Sequence, residues 1–135
     1  MKLIEVIPKK QCSLIKVLIV EDEALIGWSL SHVLRKAGFA VTVVDNGEEA
    51  IERFSSSHYD IVLTDYKLPN IDGFVVASKI KENCPQVPVI MMSAYGDCPP
   101  YKNNLRSSID RFIEKPFDLS EITEILNTFT LHLIK

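Results

Sequence analysis

The sequence predicts an α/β fold: a doubly wound, five-stranded parallel sheet with helices on both faces. Two observations carry this. Five short blocks rich in β-branched residues alternate with longer segments whose apolar residues recur at helical steps. Strand–helix–strand order repeated along a chain gives parallel pairing through right-handed crossovers. The first four blocks are also almost continuously apolar, as strands covered on both faces are.

Taken in order, the strands are expected at 16–20 (KVLIV), 40–44 (AVTVV), 60–64 (DIVLT), 88–92 (PVIMM) and 110–114 (DRFIE). After the first, Leu25, Ile26, Leu30, Val33, Leu34 and Ala37 form one helical stripe, and Gly38 supplies the C-terminal cap. Asn46 with Glu49 opens a second helix, and Asp118 with Glu121 opens the last. Both pairs are capping-box variants in which Asn or Asp is the capping side chain. A third helix is expected over about 74–82, and Gly73 after Asp72 reads as a turn. The fourth helix should fall in 96–108 (GDCPPYKNNLRSS). Pro99 and Pro100 can begin a helix but not continue one, and Asn103, Asn104, Ser107 and Ser108 are poor formers, so that helix is expected to be short.

A chain of 135 residues suits one domain, expected over 15–135 behind an N-terminal extension, 1–14. Within the extension, Leu3–Ile7 reads as an added edge strand or a disordered lead. The net charge of −3 gives no electrostatic reason to expect nucleic-acid binding. Cys12, Cys84 and Cys98 are odd in number and form no C-x-x-C. They suggest neither a disulfide framework nor a zinc site, and a reducing cytoplasm is the expected setting. No apolar run is long enough to span a membrane, and the N-terminus lacks the apolar block of a signal peptide.

Chemistry is expected where the strands end. The first runs into Glu21-Asp22-Glu23, the third into Asp65, the fourth into Ser93 and the fifth into Lys115-Pro116. Open α/β sheets bind ligands beyond the carboxyl ends of their strands. Three of these carboxylates (Glu21, Asp22 and Asp65), a hydroxyl and an ammonium therefore line one edge. Crowded carboxylates repel unless a cation sits among them, and oxygen ligands without His or Cys favour Mg²⁺. A carboxylate can itself attack phosphorus and form an aspartyl-phosphate, with a metal and an ammonium neutralising the transferred oxygens. Taken singly, each residue has a plainer reading: Asp65 and Ser93 as turn or capping residues, the acidic run as a first helical turn, Lys115 as a solvated charge. It is their joint placement at four strand ends that points to a site.

The runs VLIVEDE, LTDYKLPNIDGF, MMSAYGD and FIEKPF, with Ser93 and Lys115 spaced 22 positions apart, resemble the receiver domain of bacterial response regulators over roughly 15–134. The resemblance implies the flavodoxin-like strand order 2-1-3-4-5. It implies that Asp65 is the phosphoacceptor and Asp22 a direct Mg²⁺ ligand. Glu21 would act mainly through water, and the Lys67 carbonyl would complete the protein ligands. Ser93 and Lys115 would hold the phosphoryl group, Phe112 would be the aromatic switch, and Lys67 and Tyr95 would tune phosphate lifetime. Lys115-Pro116 resembles the family's cis peptide. The implied partners are a sensor histidine kinase or phosphotransfer protein, a downstream effector, and a second copy of the chain across the face of the fourth helix, fifth strand and fifth helix. Two alternatives stand beside this reading. An Mg-dependent aspartyl-phosphate phosphatase would want an acid two residues after Asp65, where Lys67 stands. A non-phosphorylated pseudo-receiver would have lost the aspartate, the acidic pair or the lysine, and all are present.

Overall fold

The apolar blocks become strands and the segments between them helices because the two periodicities bury different faces. The computed structural model describes residues 14–94 and 108–133. In chain order the elements are β1 (Lys16–Val20), α1 (Ala24–Lys36), β2 (Ala40–Val44), α2 (Gly47–Ser56), β3 (Ile61–Asp65), α3 (Gly73–Asn83), β4 (Val89–Ala94), β5 (Arg111–Lys115) and α4 (Leu119–Thr130), closed by a 3₁₀ turn, Leu131–Leu133. All pairings in the sheet are parallel, and the spatial order is β2-β1-β3-β4-β5. This is the predicted flavodoxin-like, doubly wound α/β arrangement. The helix expected over 96–108 and the segment Leu3–Ile7 lie outside the described residues, as do Cys12, Cys98 and Tyr95.

Alternate residues of each central strand feed two separate cores. Leu18, Val20, Val62, Val89 and Met91 pack with Ala50, Phe74, Ala77 and Ile80 of α2 and α3. Val17, Ile19, Ile61, Leu63, Ile90 and Met92 pack with Leu30 and Leu34 of α1 and Ile122 and Leu126 of α4. Strand β2, at the sheet edge, is mostly half-buried.

Several local expectations need correction. The buried stripe of α1 runs through Gly27, Leu30, Ser31 and Leu34, whereas Leu25 is 75% exposed. Gly27 lies on this face: a Cβ there would stand 3.2 Å from Val43 Cγ1, so the helix lies close to β2 at that point. Gly38 does end α1, at φ +102°, with Gly38 N–H donating to the Arg35 carbonyl. Asn46 caps α2, its side chain accepting from the Glu49 amide at 2.8 Å. Glu49 turns instead to Arg53, 3.4 Å away, so only half of a capping box forms. Asp118 begins α4 but makes no side-chain cap; its backbone carbonyl accepts from Glu121. Gly73 is the first residue of α3 rather than a turn, capped by Asp72, which accepts from the Phe74 and Val75 amides.

Candidate functional site

Parallel strands place their carboxyl ends on one edge, and that edge gathers the acidic residues. Glu21 directly follows β1, and its amide donates to the Val44 carbonyl of β2. Asp65 is the last residue of β3, Ser93 lies within β4, and Lys115 is the last residue of β5. The ladders thus run one or two residues further than the apolar blocks alone suggest, because Asp65, Ser93 and Lys115 still pair: Asp65 with Met92, Ser93 with Glu114, and Ala94 with Lys115.

Glu21, Asp22 and Asp65 each offer a carboxylate oxygen, and these oxygens all lie within 4.8 Å of one another. Glu21 and Asp65 are buried, while Asp22 is exposed at the mouth. The Lys115 ammonium lies 3.2 Å from Glu21 Oε1 and 3.2 Å from Asp65 Oδ2. The other Glu21 oxygen, Oε2, accepts from the Glu23 amide at 3.1 Å. Above them opens a cleft of about 300 Å³, lined by Asp22, Glu23, Asp65, Tyr66, Lys67, Ser93, Ala94 and Lys115. The donor set is all hard oxygen, and three carboxylates crowd beside the Lys115 ammonium. Mg²⁺ fits such a site.

Burial, together with the neighbouring Asp65 charge, pushes the Glu21 carboxyl up to about 7; the Glu23 amide and Lys115 pull the other way. Burial also raises Asp65, against the pull of Lys115. For Lys115, burial favours the neutral amine, but Asp65 and Glu21 outweigh it and hold the ammonium above its ordinary range. Both carboxyls are thus raised, chiefly by burial, beside the Lys115 ammonium.

The remaining expected residues lie at the periphery. Lys67 is exposed on the rim. Phe112, half-buried on β5, packs against the α2–α3 core, its ring 6.2 Å from that of Phe74. Its strand partner is Met91, two residues before Ser93, so Phe112 and Ser93 share a face of the sheet. The Lys115–Pro116 peptide is cis. Sequence reasoning passed over Thr64, which is fully buried and donates its hydroxyl to the Asp65 carbonyl at 3.0 Å. A hydroxyl in an otherwise apolar block, next to the key aspartate, was the available signal.

The family model of the response regulator receiver domain matches residues 17–127. The DNA-binding transcriptional regulator NtrC of Escherichia coli (strain K12) is 31% identical over 114 residues, covering 84% of this chain and 24% of NtrC. The chain thus spans about a quarter of the length of the curated relatives it first matches. The response regulator TrrA of Thermotoga maritima, crystallised in complex with Mg²⁺ and BeF, superposes with a TM-score of 0.77 at 29% identity, over 86% of this chain and 99% of that one. The receiver domain of a sensor histidine kinase from Pseudomonas aeruginosa, with magnesium coordinated in its active-site cleft, gives the same TM-score and identity over 87% and 98%. A fold, a strand order and a family match that agree over most of the chain lead to one conclusion: this chain belongs to the response regulator receiver domain family of two-component signal transduction.

Proposed function

We propose that the chain accepts a phosphoryl group onto Asp65, with Mg²⁺ as cofactor, and that this acceptance controls an effector or partner. The single observation that carries the reading is the convergence of three carboxylates within 4.8 Å, two of them held by one ammonium at 3.2 Å. Asp22, Asp65 and the Lys67 carbonyl would hold the metal, with Glu21 acting mainly through water. Bound there, Mg²⁺ would neutralise charge on the phosphoryl oxygens.

The protein's own part begins with Asp65. One of its carboxylate oxygens attacks phosphorus, and the P–N bond of a phosphohistidine, or the P–O bond of acetyl phosphate, breaks with its electron pair on the leaving group. Lys115 supplies a fixed positive charge beside the nucleophile, and Ser93 offers a hydroxyl to a phosphoryl oxygen. Movement of Ser93 toward that oxygen vacates space on the face it shares with Phe112, so that Phe112 can serve as the switch. Lys67 and Tyr95 are assigned to phosphate lifetime. The partners are a sensor histidine kinase or phosphotransfer protein and a downstream effector, with dimerisation through the fifth strand and its flanking helices. The receiver is taken to be 15–135, behind the extension 1–14, in a cytoplasmic setting.

Lys67 bears on the phosphatase alternative. A lysine two residues past the nucleophile offers no carboxylate to take a proton from water, so efficient turnover is disfavoured relative to single acceptance. Mass spectrometry after incubation with acetyl phosphate and Mg²⁺ tests the proposal. One phosphoryl group per chain is expected, lost with a chelator and lost in Asp65→Asn. Label that persists in the Asp65→Asn protein would remove the assignment.

A further inference from the structure

Two residues meet at the backbone carbonyl of Asp65, one within β3 itself and the other at the start of α3. Thr64 is fully buried and donates its hydroxyl to that carbonyl at 3.0 Å. Gly73, the first residue of α3, is buried, and its amide donates to the Tyr66 carbonyl at 2.9 Å. A Cβ built on Gly73 would drive into the Asp65 carbonyl oxygen and would also meet Met91 Cε at 2.8 Å. The φ of Gly73 is ordinary, so the requirement is for space rather than for a left-handed backbone. The space is needed because the chain leaves β3, passes through 66–72 and returns to start α3 directly against the peptide it has just left.

We infer that Thr64 and Gly73 are positioning residues, which fix the Asp65 peptide and thereby aim the Asp65 carboxylate at the converging groups of Glu21, Asp22 and Lys115. This rests on the assignment of Asp65 as phosphoacceptor. The physical ground is that a reacting carboxylate on a single χ1 bond is only as well aimed as the peptide that carries it, and small displacements of reacting groups are costly. The hydroxyl of Thr64 holds the carbonyl from within β3, and the bare Cα of Gly73 leaves it undisplaced from α3.

The test separates hydroxyl from methyl at position 64. Thr64→Val keeps the shape and loses the donor; Thr64→Ser keeps the donor and loses the methyl. Labelling by acetyl phosphate at saturating Mg²⁺ is followed by mass spectrometry, with circular dichroism to establish that each variant is folded. The maximal rate of Thr64→Val is expected to fall roughly tenfold, short of the ~10²-fold that a 1 Å misplacement can cost, with the acetyl phosphate KM unchanged and Thr64→Ser restoring the rate. Gly73→Ala is expected to slow labelling likewise, and combined with Thr64→Val to slow it by less than the product of the two effects, since both act through one carbonyl. If Gly73→Ala fails to fold, the position-64 pair decides alone. A normal rate in Thr64→Val, or a slow one in Thr64→Ser, overturns the inference while leaving the Asp65 assignment intact. A wild-type chain that takes no label at all overturns both.

Discussion

Two buried carboxylates, Glu21 and Asp65, share one ammonium, Lys115, at 3.2 Å, and burial leaves them short of compensating charge. That imbalance has a measurable sign. A Glu21 carboxyl raised to about 7 in the folded chain stays protonated over a range in which the unfolded chain has already released its proton. The native state then binds more protons than the unfolded one, so stability falls as pH rises from about 4.5 toward 7 and levels off above it. Asp65, raised in the same direction, adds to this. Lys115, held above its ordinary 10.5, contributes fully throughout that range and loses its contribution only at higher pH. Each tenfold change in proton affinity between the two states is worth about 1.4 kcal/mol, which puts the Glu21 penalty on the order of 3 kcal/mol. In metal-free protein the urea midpoint is therefore expected to drop between pH 5 and pH 7.5, and millimolar Mg²⁺ to recover most of the loss at the upper end. A midpoint that climbs across the same interval would contradict the electrostatics described. At this scale the sequence was partly legible. Asp65, Ser93 and Lys115 stood out because each interrupts or ends an apolar block. Which acid of Glu21-Asp22-Glu23 is buried could not be read, because three adjacent acids look alike until β1 and β2 fix which one points inward.

Among the elements, helix starts give the clearest contrast between reading and structure. Asn46 and Asp118 have equal claims as caps in the sequence, yet only Asn46 accepts an amide with its side chain. Replacement of a working cap by alanine typically costs about 1 kcal/mol. Asn46→Ala and Asp72→Ala are accordingly expected to lower stability by about that much, and Asp118→Ala by clearly less, in urea titrations. An equal loss in all three would count against the observed side-chain cap hydrogen bonds as the source of the difference. The apolar blocks locate the strands to within one or two residues. Apolar character marks where a strand is covered by helices, whereas the ladder continues through Asp65, Ser93 and Lys115 on backbone pairing alone. Hydrophobicity alone puts Leu25 on the buried stripe of α1, and the structure does not. The inward face instead carries Gly27, where a Cβ would stand 3.2 Å from Val43 of β2, together with Leu30 and Leu34.

For the molecule as a whole, the period-two alternation along the central strands feeds two cores that share the sheet as a common wall. Leu34 of α1 and Ile80 of α3 are essentially fully buried on opposite sides of that wall. Each substitution to alanine is expected to cost about 2–5 kcal/mol, and the two costs to add, since no cavity is shared between them. Strong non-additivity in a double variant would show instead that the sheet transmits repacking from one face to the other. Among the described residues no helix is long and apolar enough to cross a membrane. The parallel sheet was legible from the alternation of elements and its strand order from the resemblance, whereas the close approach of Gly73 to the Asp65 peptide was not, because it is a contact that no linear pattern encodes. The pairing of Lys115 with Glu21 joins positions 94 apart. During synthesis from the N-terminus, a nascent chain that has emerged only through β4 already exposes its crowd of acids while Lys115 has still to emerge. Domains tend to fold as whole units, and here the last strand delivers the counter-charge, so readiness to receive a signal arrives only with the final stretch of the sheet.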